Sequence, residues 1–268
     1  MVTLILPTRN RPIYLQRTLE YYSTTQCPFL ILIEDSSSLE HSEKNKKVID
    51  NYANDLDIHY HSHKESSTPN KKIATSLRRV ATKYAMIVAD DDFHPSSTIK
   101  KCALFLEENP IYSSCHGGAI WIATREDKVY GKIKSCYQYG PRSMRTVKDE
   151  YAIDRLLSYM KVPQTVWMSV QKTSDLVEMY EISVVEDFDM EDFGELFPAF
   201  MTHLNGKIKY LEGTLHTVKD AYSPKLYSQT NTMVKRMMNF SWQKKCHRVT
   251  SLLVEKLDGT EVDADFVE

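Results

Sequence analysis

The order of short apolar runs and helically spaced segments at the start of the chain constrains the fold most. Residues 3–6, 29–33 and 85–89 are runs of Leu, Ile, Val, Phe, Met, Ala and Thr, too short for helices and continuous enough to be strands buried on both faces. Between the first two runs, Leu15, Thr18, Leu19 and Tyr22 recur at helical spacing. They follow Asn10, Arg11 and Pro12, which supply a cap and a first-turn proline. Residues 39–52 read as a second helix and 57–61 as an alternating strand, while Ile73, Leu77, Val80 and Tyr84 mark one face of a third helix. Strands alternating with helices build a mostly parallel sheet covered on both faces. Ligands of such sheets sit beyond the carboxyl ends of the strands.

The remainder is less regular. Residues 115–123, 128–139 and 165–170 read as strands and 150–160 as a helix. Phe193, Leu196, Phe197, Phe200, Met201 and Leu204 form an amphipathic stripe that ends at Asn205-Gly206, where a helix C-cap belongs. Residues 230–253 are basic and Met-rich, suited to one or two helices over the core, and 258–268 form an acidic tail. With 268 residues, 42% of them hydrophobic, the chain can bury one α/β core, or one core and a small appended lobe.

Charge and cysteine content exclude several classes. The 34 basic and 36 acidic residues nearly cancel, so no global field exists to hold nucleic acid or an anionic membrane. Cys27, Cys102, Cys115, Cys136 and Cys246 are odd in number, scattered and free of any C-x-x-C pair, which fits reduced thiols and a cytoplasmic location. No apolar run approaches the roughly 20 residues of a membrane helix. The first residues do not read as a signal peptide, because the run at 4–6 ends in Pro7 and basic Arg9 and Arg11.

The strongest chemical signal is Ala89-Asp90-Asp91-Asp92-Phe93, three carboxylates directly after a buried strand. Like charges this close repel, and a hard divalent cation with oxygen preference makes the arrangement favourable. An Asp-rich turn or cap leading into Pro95-Ser96 is the competing explanation. Position favours the metal, since these residues end a strand, as Glu34-Asp35 ends another.

Leu4-Ile5-Leu6-Pro7-Thr8-Arg9-Asn10-Arg11-Pro12, Leu32-Ile33-Glu34-Asp35-Ser36 and Ala89-Asp90-Asp91-Asp92 resemble, in order and spacing, the three opening motifs of family-2 glycosyltransferases. The resemblance covers residues 1 to about 110. It implies an α/β GT-A fold, a Rossmann-like and mostly parallel sheet flanked by helices, with a smaller acceptor-side region and C-terminal helices. On this basis residues 1–222 form the GT-A domain, with 1–110 the nucleotide-sugar half and 111–222 the acceptor half, and 223–268 are an extension.

The resemblance further implies that Pro7, Thr8, Arg9, Arg11, Glu34, Asp35, Lys72, Asp90 and Asp91 hold the donor. Asp90 and Asp92, with His216, hold Mn²⁺ or Mg²⁺. The family has a later Glu-Asp pair opening a helix, followed by a glycine, a strand and a histidine. Glu191-Asp192, Gly206 and His216 are similar in order, which makes Asp192 the first choice for catalytic base, ahead of Asp187, Asp189 and Glu191. A carboxylate at a helix N-terminus stays ionised, as a base must. The chain departs from the family at Lys72-Ile73-Ala74, where many relatives carry Ala-Arg-Asn. Lys71 or Lys72 is a substitute cation, while Arg78 and Arg79 read as a solvated helix face.

The implied activity is a metal-dependent, inverting transfer of a sugar from a nucleotide diphosphate, UDP favoured, to an acceptor hydroxyl of a glycan, lipid-linked or protein acceptor. Two rivals stand beside it: a non-catalytic sugar-nucleotide or glycan-binding domain, and a nucleotidyltransferase. The Gly-rich, basic phosphate loop of the second is absent after the first strand. His59, His61 and His63 alternate and read as an exposed edge-strand face. His116-Gly117-Gly118 reads either as a close approach for a sugar or as a β-bulge. Trp121 and Trp167 suit sugar stacking or core. The basic C-terminal stretch suits an acceptor, a peripheral contact at the inner face of a membrane, or another subunit.

Overall fold

The computed structural model describes residues 2–124, 129–138, 144–188, 193–221 and 239–259. The opening half alternates as expected through β4, with β1 (Val2–Thr8), α1 (Pro12–Thr24), β2 (Leu30–Asp35), α2 (Leu39–Asp50), β3 (Ile58–Ser62), α3 (Pro69–Leu77) and β4 (Tyr84–Ile87), and α4 (Ser96–Glu108), which the sequence reading did not pick out, comes next. There follow β5 (Tyr112–Thr124), β6 (Ile133–Gln138), α5 (Ala152–Lys161), β7 (Val170–Lys172), α6 (Thr173–Val185), α7 (Leu196–Asn205), β8 (Lys207–Asp220) and α8 (Phe240–Asp258).

One eight-stranded sheet runs in the order β3-β2-β1-β4-β7-β5-β6, with β8 also on β5. β1 pairs in parallel with β2 and β4, and β2 with β3. β7 joins β4 to β5 in antiparallel fashion, and β5 pairs in parallel with β8.

Alternation along β1 divides the core between the two faces of the sheet. Leu4 and Leu6 point to one face, where they meet Leu15, Leu19 and Tyr22 of α1 and Ile99 and Leu106 of α4. Ile5 points to the other, against Ile73 and Leu77 of α3, Met179 and Tyr180 of α6 and Phe197 of α7. Leu4, Ile5 and Leu6 are fully buried, each contributing about 2 kcal/mol by removal from water. Trp242 of α8 stacks on Phe193, with centroids 5.8 Å apart, and carries α8 onto the same face.

Several elements differ from the sequence expectation. α3 stops at Leu77, and Tyr84 opens β4, where it pairs with Val2. Spacing alone allowed Val80 and Tyr84 to continue the helix, but Val80 falls in the turn after it, its N–H on the Leu77 carbonyl, and pairing with β1 claims Tyr84. Residues 166–169 form a turn closed by Ser169 N–H on the Val166 carbonyl, leaving a strand only at Val170–Lys172. α7 starts at Leu196, later than Phe193. Gly206 follows α7 for a reason other than a left-handed cap. A Cβ there would lie 2.7 Å from both the Ile111 carbonyl and the Ser113 nitrogen, so glycine permits β5 to approach.

Candidate active site

The carboxyl ends of the parallel strands β1, β2 and β4 open on one edge of the sheet. There the turns after these strands and the N-terminus of α3 enclose a cleft of about 440 Å³. Its walls are residues 7–11, Ser36, residues 66–69, Lys72, residues 89–91 and Trp167. Asn10 takes a left-handed φ of 56°, which Asn tolerates better than most side chains. Its N–H donates to Ser37 Oγ at 2.7 Å and its Oδ1 accepts from Ser38 N–H at 2.9 Å, locking the β1 and β2 turns together.

The triple-Asp segment lies against this wall, held from several sides. Thr8 Oγ1 donates to Asp90 Oδ2 at 2.6 Å. Arg11 spans two carboxylates, Nη1 to Asp90 Oδ1 at 2.7 Å and Nη2 to Asp91 Oδ2 at 2.9 Å. From α1, Thr18 Oγ1 donates to the Asp90 carbonyl at 2.8 Å and Arg17 Nη2 to the Asp91 carbonyl at 3.0 Å. Three consecutive β8 residues complete the clamp. Val218 exchanges backbone hydrogen bonds with Phe93, Lys219 Nζ is 3.4 Å from Asp92 Oδ2, and Asp220 Oδ2 accepts from Arg17 Nη1 at 2.8 Å.

Asp90 and Asp92 are buried, 3% and 4% exposed. Burial pushes both carboxyls up to about 6, against the pull of Arg11 on Asp90 and of Lys219 on Asp92, with Asp91 adding repulsion to each. Desolvated carboxylates that their local cations do not fully compensate, with oxygen as the only donor atom, fit a hard divalent ion. Among the described residues no three His, Cys, Asp or Glu groups converge as a ready metal cage. The remaining ligands would come from substrate phosphates and water, as is usual for Mg²⁺.

Of the expected donor contacts, Pro7, Thr8, Arg9, Arg11, Lys72, Asp90 and Asp91 are brought together around the cleft. Lys72 is 2% exposed, donates from Nζ to the Thr8 carbonyl at 2.7 Å, and burial lowers its ammonium to about 8. Glu34 and Asp35 stand behind the wall. Asp35 accepts from Ser37 N–H and Asn45 at 2.8 Å and from Tyr60 at 2.9 Å. Glu34 is held by Arg79 through both oxygens and by His61 and His63.

His61 and His63 at this sheet edge are therefore only part-exposed, and Arg79, exposed as expected, ends its guanidinium on the same carboxylate. A buried carboxylate at the end of β2 is the partner of all three, while His59 is the most exposed of the three histidines.

His216 is not drawn to the carboxylates. It is buried, with Nε2 facing the Met168 carbonyl at 2.8 Å, and burial lowers its imidazole to about 4. Lys219, three residues further along β8, is the residue on Asp92. Asp187 sits at a left-handed φ of 52° after α6 with its side chain 80% exposed. Asp189, Glu191 and Asp192 lie outside the described residues. Gly117 and Gly118 mark a bulge where the β5–β8 register shifts. A Cβ on Gly117 would be 2.3 Å from Thr214 Oγ1, so β8, not a sugar, makes the close approach. Trp167 does line the cleft.

Arg17 and Asp220 are the site residues that sequence reasoning missed. The available signal was an arginine among the buried positions of α1, between Leu15 and Thr18.

The sheet order and the strand-end cleft define an α/β protein of GT-A fold. S. aureus TarS 1–349 in complex with UDP-GlcNAc matches with a TM-score of 0.61 at 15% identity, covering 95% of this chain and 66% of that one. The Pyrobaculum calidifontis mannosyltransferase PcManGT, solved with GDP-Man and Mn²⁺, matches at 0.53 and 12%, over 95% and 64%. A longer S. aureus TarS structure matches at 0.55 and 16% over 82% of this chain and 36% of its own. The chain thus spans between about one third and two thirds of the length of these structures. The sequence model of glycosyl transferase family 2 matches residues 3–161, and the chain belongs to that family. Comparison with curated proteins finds no match. No helix among the described residues is long and apolar enough to cross a membrane.

Proposed function

We propose that this chain transfers a sugar from a nucleotide diphosphate to an acceptor hydroxyl in a metal-dependent reaction. The observation that carries the reading is the meeting, in one cleft, of the β1 turn, the start of α3 with Lys72, and the triple-Asp segment. The nucleoside lies along Pro7, Thr8, Arg9, Ser36 and residues 66–69, and Lys72 and Arg11 face the diphosphate. Asp90 and Asp92 hold Mn²⁺ or Mg²⁺, which neutralises the leaving diphosphate when bound. Asp192, which precedes α7 in the chain, takes the acceptor proton, giving one displacement with inversion. Support for UDP as the donor base comes from the UDP-GlcNAc complex of TarS. The GDP-Man complex of PcManGT makes GDP the comparison ligand.

Calorimetric titration of UDP, GDP and dTDP, each with Mn²⁺ and with chelator, tests the reading on wild type and Asp92→Ala. One nucleotide is expected to bind only with metal, and Asp92→Ala is expected to weaken it by at least about tenfold, the loss of one charged contact. Binding of no nucleotide under any condition would remove the cleft as a donor site.

A further inference from the structure

Arg11 already neutralises Asp90, one of the two carboxylates assigned to the metal. Its guanidinium lies 2.7 Å from one Asp90 oxygen and 2.9 Å from one Asp91 oxygen, bridging two carboxylates that repel each other. A divalent ion bound to the same segment sits about 2.0–2.6 Å from its oxygens. Guanidinium and metal are like charges competing for one small volume, so they cannot both hold this position.

The anchor of Arg11 permits a second one. It is the N-cap residue of α1, its side chain is 11% exposed, it lines the cleft, and its Cζ rests 4.2 Å from the Tyr14 ring centroid. A flat ring face lets the guanidinium slide without losing its cation–π contact. Guanidinium pairs two-pronged with phosphate as readily as with carboxylate.

We propose that Arg11 is a placeholder cation that yields Asp90 to the metal and moves onto the donor diphosphate, so that metal and nucleotide enter cooperatively. The inference rests on the donor-site reading given above. Without nucleotide the guanidinium has nowhere better to go, and metal binds poorly. With nucleotide, each of the three charges gains a partner of opposite sign. Reciprocity then requires that nucleotide tighten metal by the same factor as metal tightens nucleotide.

The consequence has an unusual sign, because removing a cleft cation should improve binding of a bare cation. Mn²⁺ affinity is read from the electron paramagnetic resonance of free Mn²⁺, without nucleotide and then with UDP, for wild type, Arg11→Ala, Arg11→Gln and Arg9→Ala. Arg11→Ala and Arg11→Gln are expected to bind Mn²⁺ alone about tenfold more tightly than wild type. Their UDP-induced gain should collapse towards onefold from a wild-type coupling of about 5–150-fold. Arg9→Ala removes an exposed cleft charge without touching a carboxylate and, compared only in the absence of nucleotide because Arg9 also lies along the donor, should shift Mn²⁺ affinity about twofold at most through the screened field.

Thermal unfolding in chelator supplies a readout independent of nucleotide. Arg11→Gln should melt below wild type, and saturating Mn²⁺ should restore the difference. Mn²⁺ affinity unchanged or lowered in both Arg11 variants, or raised equally by Arg9→Ala, would overturn the proposal. Wild type that fails to bind any nucleotide while Arg11→Ala still gains Mn²⁺ would sink the donor-site reading and with it the coupling to nucleotide, leaving only the competition of Arg11 with metal for Asp90.

Discussion

Glu34 shows how much a single buried charge organises at the residue scale. It is fully buried at the end of β2, yet it is ionised. Burial pushes its carboxyl up, and the hydrogen bonds from His63 and Arg79 outweigh that, holding it below the usual carboxylate range. A folded-state value below the unfolded one contributes stability that is present above the unfolded value near 4.3 and is lost as pH falls through the folded value. Glu34→Gln removes the charge and its charged hydrogen bonds, and because Arg79 keeps its access to water the cost is about 1.5–3 kcal/mol. Thermal melts from pH 3 to 7 should show wild type gaining stability across the acid range and Glu34→Gln starting lower and gaining less. A variant with the wild-type slope would mean that Glu34 is not the titrating group.

The junction between β5 and β8 carries the corresponding argument at the element scale. Val218, Lys219 and Asp220 of β8 clamp the triple-Asp segment, so the placement of that segment depends on how closely β8 lies on β5. Gly117 permits the approach, and any side chain there meets Thr214 at 2.3 Å from its Oγ1 and 2.9 Å from its carbonyl. Gly117→Ala should therefore destabilise by about 1–3 kcal/mol, the usual cost of overpacking. Because Lys219 moves with β8, metal-dependent nucleotide affinity should fall in the same variant even where it remains folded. Calorimetry and a melting curve on one sample separate the two effects, and a folded variant with full affinity would show that the clamp is not transmitted through β8.

Over the whole molecule, legibility divided by whether an interaction was local. The strands and helices up to β3 were readable because apolar runs and 3.6-residue stripes are local signals. The end of α3 was not, since only pairing with β1 distinguishes Tyr84 as a strand residue. α6 escaped notice because its apolar residues, such as Leu176, Val177, Met179 and Tyr180, spread around the helix and show no clean stripe. In the site, the triple-Asp segment stood out through residue type and position after a strand, while Arg11 and Lys72 came only with the family resemblance. The pairing of His61 and His63 with Glu34, the saturation of Asp35 and the role of Arg17 depend on contacts made across the sheet and by residues far along the chain. No spacing rule reports these.

The order β4-β7-β5 has a practical meaning for anyone cutting this chain. The family match ends at residue 161, whereas β7, which bridges β4 to β5, begins at Val170. A fragment stopped at residue 161 would keep every strand of the donor side and lose the one that closes the gap, leaving the β4 edge bare and the Ile5 face without α6 and α7. Bare edges beside uncovered apolar faces recruit other chains. Such a fragment should elute as aggregate in size-exclusion chromatography while residues 1–259 elute as a defined species. The stretch that identifies the family by descent is therefore not a unit that can be detached, and the later strands are as much a part of the donor side as the motifs that announce it.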